Sequence, residues 1–355
     1  MIRIGNKKIG NGNQCFITYE AGPTHNGIDS AKRLIKHAAD AGADAIKFQI
    51  FDPDKLVSDK KQLFAFGVLK DRDTGEIENI EMPLYDILLD RCLKDEEWKE
   101  VKSYSDKLGL AFFSTVGFEK DIDLLEDLGC HSIKIASADL NHYPLLKKAA
   151  NTGMCIQIDT GMATIDEIES AVEVIKKEGN ESIIIHHCPS GYPASLKNVN
   201  LNIITTLKKR FSYPIAFSDH SPGFNMDIAA LTLGVNLVEK TITEDRMTRA
   251  VEHAMSIEPN EMKNFIETIR EVEIAFGSSM IELHAKERKK RDQIRRSLFL
   301  LSDAKSGQKL SECNVEFRRP GFGIPPDQYE LLSNAVLNKD RNSGEMLKMS
   351  DLEFK

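Results

Sequence analysis

The 355-residue chain reads as an α/β protein, a closed (β/α)8 TIM barrel followed by a small C-terminal domain. Three observations predict this. Eight short apolar runs recur between residues 15 and 243, each followed by a helix-period pattern, and a tandem strand–helix chain of that count is the signature of a closed parallel barrel. Nearly every run ends in polar residues, as barrel strands do at the mouth that carries chemistry. After residue 277 the rhythm stops. A doubly wound open sheet is disfavoured because no Gly-x-Gly-x-x-Gly follows the first run.

Taken in order, the first strand is Cys15–Glu20, and a helix capped at Asp29 or Ser30 follows it, with Leu34, Ile35 and Ala38 on one face. Ala45–Phe51 is the second strand. Residues 52–92 break the rhythm and read as a long charged excursion over the barrel mouth, with a turn at 71–75, rather than as a regular helix. Strands then alternate with helices at 111–116, 132–137, 155–161, 182–188, 214–220 and 236–243, and a last helix spans about 259–276. The expected organisation is a barrel over residues 1–280, a charged linker over 281–296 and a domain of about 60 residues over 297–355. That domain looks too small for a deep core of its own and is expected to pack on its own barrel or a partner's.

Composition narrows the function. A formal charge of −8 argues against a general nucleic-acid or acidic-membrane binder, and no apolar stretch reaches membrane-spanning length. The N-terminus carries no apolar signal region. Six cysteines lie scattered without paired spacing, mostly in or beside apolar runs, as reduced buried thiols do in a cytoplasmic protein.

The strand ends carry the chemistry. In order they offer Glu20, Lys47 with Gln49, Ser114 and Thr115, Lys134 with Ser137 and Asp139, Asp159 and Thr160, His187, and Asp219 with His220. Two lysines inside a barrel need anionic partners, because an unpaired buried ammonium is too costly. A phosphate or carboxylate ligand supplies that charge. His187 and His220 close two neighbouring strands of like pattern and suit a borderline divalent metal in an open site. His186 is expected to turn outward, towards the helices. His25 and His253 are within reach of the mouth, whereas His37, His131, His142 and His284 read as surface or core residues.

With these motifs in place, the chain resembles the sialic acid (nonulosonate) synthase family. The matching pieces are Glu20-Ala-Gly-x-x-His-Asn-Gly27, Ala41-Gly-Ala-Asp-Ala-Ile-Lys-Phe-Gln49, Phe113-Ser-Thr115, Ile133-Lys-Ile-Ala-Ser137, Asp159-Thr-Gly-Met162, His187-Cys-x-x-x-Tyr-Pro193, Ser218-Asp-His220 and His253-Ala-Met-Ser-Ile-Glu-Pro259. Arg318-Arg-Pro-Gly-x-Gly-Ile324 is similar to the antifreeze-like (SAF) domain that ends these enzymes. The resemblance implies a transferase that condenses phosphoenolpyruvate with an N-acylated hexosamine, N-acetylmannosamine or a 2,4-diacetamido-6-deoxy hexose, and releases phosphate. By motif position His187 and His220 would bind the metal, Mn²⁺ first, with Mg²⁺ or Co²⁺ as alternatives. Lys47 and Lys134 with Thr115 and Ser137 would hold phosphoenolpyruvate, and Glu20 would be the acid/base. Gln49, Asp139, Thr160 and Tyr192 would belong to the substrate site. Arg319 would reach the sugar's acylamino group from the other subunit of a domain-swapped homodimer.

Asp139 stands where many members have Glu, Thr241 where a histidine is common, and the 52–92 excursion is longer than usual. All three concern the sugar end. Two other catalytic readings remain open: a phosphoenolpyruvate-dependent barrel synthase acting on a phosphorylated sugar, which would not need residues 297–355, and a lysine Schiff-base aldolase, which would not need the histidine pair. A barrel that keeps the fold without the chemistry has no use for two lysines and two histidines at one mouth.

Overall fold

A computed structural model describes residues 2–10 and 12–354. It divides into two compact units, Met1–Phe276 and Gly277–Lys355.

The first unit opens on an antiparallel hairpin, β1 (Ile2–Ile4) and β2 (Lys7–Ile9), in a stretch whose sequence looks merely polar. Ile2, Ile4 and Ile9 join Phe16, Phe113, Ile184 and Leu237 in one buried cluster, so the hairpin plugs the N-terminal end of the barrel. β3 (Phe16–Glu20) and β4 (Ala45–Ile50) pair in parallel, after which the chain leaves the barrel. There β5 (Leu63–Leu69) and β6 (Ile77–Pro83) form an antiparallel ladder. β7 (Ala111–Val116), β8 (Ser132–Ile135), β9 (Cys155–Asp159), β10 (Ile183–His187), β11 (Ile215–Asp219) and β12 (Leu237–Thr241) complete a closed parallel barrel, with β12 pairing back onto β3. The predicted eight-stranded barrel is what the chain forms.

The helices cover the outer face. Ile28–Ala41 buries Leu34, Ile35 and Ala38 and ends at Gly42, whose φ of 89° is left-handed and free of cost only for glycine. Burying a Leu or Ile of this kind contributes about 1.5–3 kcal/mol.

The 52–92 excursion is more regular than the sequence suggests. Short helices Pro53–Leu56 and Leu84–Leu89 flank the β5–β6 hairpin. Its turn closes because Asp71 accepts the backbone amides of Asp73 and Thr74 at 2.8 and 2.9 Å. Phe66 and Val68 of β5 pack with Ile87 and Val251. Their period-two spacing is a strand signal that the surrounding charges mask.

In the second unit a helix, Ala285–Ile294, has no buried side chain, as its charge predicts. β13 (Ser297–Leu300) pairs with β14 (Val315–Arg318), and β15 (Val336–Leu337) with β16 (Leu352–Glu353), all antiparallel. The expectation that this domain lacks a core is corrected. Leu298, Leu300, Leu310, Ile324, Leu337 and Leu347 form one, because short turns return these scattered side chains to a common centre. Among the described residues no helix is long and apolar enough to cross a membrane.

Candidate active site

Strand parity builds the site. Barrel strands are buried on both faces, so alternate residues enter two different environments. Ala45 of β4 and Leu237 of β12 lie in the inner cluster at the barrel floor. Two residues on, Lys47 and Glu239 face a cavity of about 230 Å³ at the C-terminal mouth, which Glu20, Gln49, Thr115, Ser137, Tyr192 and His220 also line. The excursion roofs this cavity with Phe64, Ile87 and Arg91. It is tied down by the Gly67 amide, which donates to the Tyr192 carbonyl at 2.8 Å, and by Arg72, which reaches Asp245 and Glu258 at 2.6 Å each.

A charge network fills the floor. Lys47 ion-pairs with Glu20, lies 3.1 Å from Glu239, and donates to the Thr115 hydroxyl at 3.2 Å. Lys134 lies deeper, fully buried, 2.7 Å from Glu239, 3.0 Å from Asp159 and 3.2 Å from the Ser218 hydroxyl. Burial opposes the charge of Glu239, but Lys134 and Lys47 outweigh it and hold its carboxyl well below the usual range. Glu20 goes the other way: burial, helped by the charge of Glu239, pushes it up to about 7 against the pull of Lys47. Its Oε1 accepts the Gly22 amide at 2.5 Å.

The two adjacent histidines reverse the predicted orientation. His186 points into the barrel, where its Nε2 meets Gln157 Oε1 at 2.9 Å and its Nδ1 lies 3.3 Å from Lys134 Nζ. Burial, then the lysine's charge, pushes it well below the ordinary histidine range and keeps it neutral. His187 turns towards the helix layer. Its Nε2–H donates to the Val199 carbonyl at 2.6 Å, and its ring packs on Phe217. The reason is register: Ile183 and Ile185 belong to the outer core and Ile184 to the inner cluster, so 186 is in and 187 is out.

Within the first unit, other predicted residues also stand off the cavity wall. Lys134 sits behind it, already matched by carboxylates. Thr160 donates its hydroxyl to the His186 carbonyl at 2.8 Å, tying β9 to β10. Asp139 ends a single 3₁₀ turn, Ser137–Asp139, and burial raises its carboxyl. Arg319, in the second unit, donates Nε–H to the Ile294 carbonyl at 2.6 Å. Conversely, Glu239, Glu252 and Arg91 line the cavity and were not expected to. Glu239 was findable, being two residues before Thr241 on a strand whose Thr241 pairs with Glu20.

His220 Nδ1–H donates to the Pro189 carbonyl at 3.1 Å, so Nε2 is the ring nitrogen left to meet a ligand. Its ring lies 4.9 Å from that of Tyr192. Among the described residues no group of three or more His, Cys, Asp or Glu is arranged to hold a metal. The predicted His187–His220 pair does not fit this structure, because His187 is engaged elsewhere.

Comparisons with known proteins agree on one family. The NeuB family pattern matches residues 34–281. An uncharacterised protein of Methanocaldococcus jannaschii is 36% identical over 99% of this chain and 98% of its own. N,N'-diacetyllegionaminic acid synthase of Campylobacter jejuni is 33% identical over 94% of this chain and 98% of its own length. Among solved structures, the N-acetylneuraminic acid (sialic acid) synthetase of Leptospira borgpetersenii, in complex with citrate, superposes with a TM-score of 0.70. It is 31% identical and covers 81% of this chain and 94% of its own.

Proposed function

The chain belongs to the NeuB family, and from that premise we propose that it condenses phosphoenolpyruvate with an N-acylated hexosamine, giving a nine-carbon 2-keto acid of the sialic acid type and phosphate. One observation carries the reading. A single mouth cavity joins the Glu20–Lys47 pair to the hydroxyls of Thr115 and Ser137 and to the polar side chains of Gln49 and Tyr192.

The chemistry follows from those groups. Carbon 3 of phosphoenolpyruvate attacks the aldehyde carbon of the open-chain sugar, whose oxygen takes up a proton, and positive charge develops at carbon 2. Water adds there, giving its proton to Glu20, and the tetrahedral intermediate expels phosphate and becomes the ketone. A carboxyl poised at about 7 exchanges protons with water near neutrality without a large driving-force penalty. Lys47, Thr115 and Ser137 hold the anion in an attack geometry, with Lys134 supporting the charge from behind. Gln49, Tyr192 and Asp139 are assigned to the sugar end, as is Thr160 through its hold on β10.

For this chain we assign manganese, with magnesium or cobalt as alternatives, and His220 as its imidazole ligand. Arg319 is assigned to the acylamino group of a sugar bound by the other subunit of a domain-swapped homodimer, and the compartment is assigned as the cytoplasm.

The test is a phosphate-release assay with phosphoenolpyruvate and a panel of N-acyl hexosamines, with and without chelator. Release that depends on one such sugar is expected. Release that requires a phosphorylated sugar would move the chain to the other group of barrel synthases.

A further inference from the structure

Among the described residues, the cavity wall holds one cation whose charge is unmatched. Lys47 is paired with Glu20 and Glu239, and Lys134 lies behind them against Asp159 and Glu239. Arg91 differs. It follows the helix Leu84–Leu89 and is only 6% exposed, and among the described residues its guanidinium has neither a hydrogen bond nor a carboxylate within ion-pairing distance. Glu252, Asp90 and Glu20 act on it only through space. A guanidinium buried in this way carries a desolvation penalty that a bound anion relieves.

Its position is as informative as its isolation. A second cavity of about 260 Å³ adjoins the first, and the two share three wall residues, Ile87, Arg91 and Val251. Three acids line the second cavity: Glu244 binds Arg33, Asp245 binds Arg72, and Asp90, next to Arg91 in the chain, acts on it only through space. Its histidines, His25 and His253, are pushed by burial down to about 4 and so add no charge near neutrality. Arg91 is therefore the unmatched positive group that an anion meets where the two cavities join.

We propose that Arg91 is an oxyanion-binding residue of the catalytic cavity and receives one end of phosphoenolpyruvate, its phosphate or its carboxylate. The inference rests on the functional reading above and adds to it a residue from the excursion. The planar guanidinium fork fits either oxyanion through paired N–H donors. The two lysines are already balanced by carboxylates, so the net negative charge of the substrate needs a further cation, and Arg91 supplies it. The excursion then does more than roof the site, because it delivers a binding group that no barrel strand carries.

Titration calorimetry on the full chain tests this without turnover, using phosphoenolpyruvate, inorganic phosphate and pyruvate as separate titrants against wild type, Arg91→Gln and Arg91→Lys. Arg91→Gln is expected to weaken phosphoenolpyruvate binding tenfold or more, and Arg91→Lys to recover part of the loss. A parallel loss for phosphate or for pyruvate identifies the oxyanion held. In turnover, Arg91→Gln is expected to raise the KM for phosphoenolpyruvate while leaving that for the sugar within twofold. Phosphoenolpyruvate affinity within twofold of wild type, with or without a lowered Tm, assigns Arg91 a structural role and overturns the proposal. If the Gln variant does not fold, amide exchange on wild type decides: slower exchange across residues 84–92 at saturating phosphoenolpyruvate is expected, and unchanged exchange overturns it. Binding without condensation on any sugar would sink the functional reading and leave Arg91's role standing. Condensation with undiminished affinity in Arg91→Gln would do the reverse.

Discussion

Lys47 and Glu20 form an ion pair inside the barrel mouth, with side chains only 5% and 4% exposed, and Glu239 stands on the other side of the same ammonium. One lysine thus links a carboxyl held near neutrality to one held firmly ionised. The asymmetry has a simple cause. Glu239 has two lysines against it, whereas Glu20 has one lysine and the repulsion of Glu239.

Glu20 acts as a base only when ionised, so kcat/KM is expected to fall as pH drops through about 7, where its proton is taken up. Glu20→Gln should lower kcat by about 10²–10⁴-fold and remove that acid limb from the profile. Full turnover in the Gln variant would rule out the assigned role.

His220 lines the cavity, with its Nδ1 taken by the Pro189 carbonyl. Chelator treatment and His220→Ala are both expected to abolish phosphate release, with the far-UV spectrum unchanged and manganese restoring only the chelated wild type. His187→Ala is the companion measurement. An equal loss there would mean that its ring leaves the Val199 carbonyl when the ion binds.

Removing Glu239 leaves Lys134 and Lys47 short of counter-charge in the interior. Glu239→Ala is expected to cost about 3–5 kcal/mol in urea unfolding. Adding Lys134→Met should cost less than the sum of the two single changes, because the second removes the charge the first exposed. Strict additivity would show that the pair is not coupled.

Gly22 has no room for a methyl group. A Cβ there would lie 2.5 Å from Glu20 Oε1 and 2.8 Å from the backbone nitrogen of Gln49. Gly22→Ala should therefore displace Glu20 and reduce kcat at least tenfold, with a lower Tm. Wild-type turnover in this variant would mean that the Gly22–Glu20 hydrogen bond is dispensable.

Arg319→Ala is expected to raise the sugar KM well above any change in the phosphoenolpyruvate KM. Equal effects on both would place the second unit away from the sugar.

Much of the barrel was legible because each strand ends in a distinctive polar residue and each helix keeps its 3.6-residue period. Glu20, Lys47, Gln49, Thr115, Ser137 and His220 all line the cavity, as the strand ends suggest, and so does Tyr192, which only the family resemblance pointed to. The hairpins β1–β2 and β5–β6 were not legible: the apolar residues of β1, β2 and β6 are few and interleaved with charge, and β5, itself an uncharged run, lies in a segment that is otherwise charged.

The histidines mark the limit. The run Ile183-Ile-Ile-His-His187 is fully buried, so hydrophobicity along it does not alternate, and nothing local says which histidine faces inward. By itself the sequence determined the barrel, the family motifs and the residue types available at the mouth, because these follow from period and composition along the chain. Tertiary structure decided the rest: that His186 enters the lysine network while His187 bonds Val199, that Glu239 is shared by two lysines, and that Arg91 arrives from the excursion. Those outcomes depend on strand register and on which charges meet across the barrel, and both are set between segments distant in the chain.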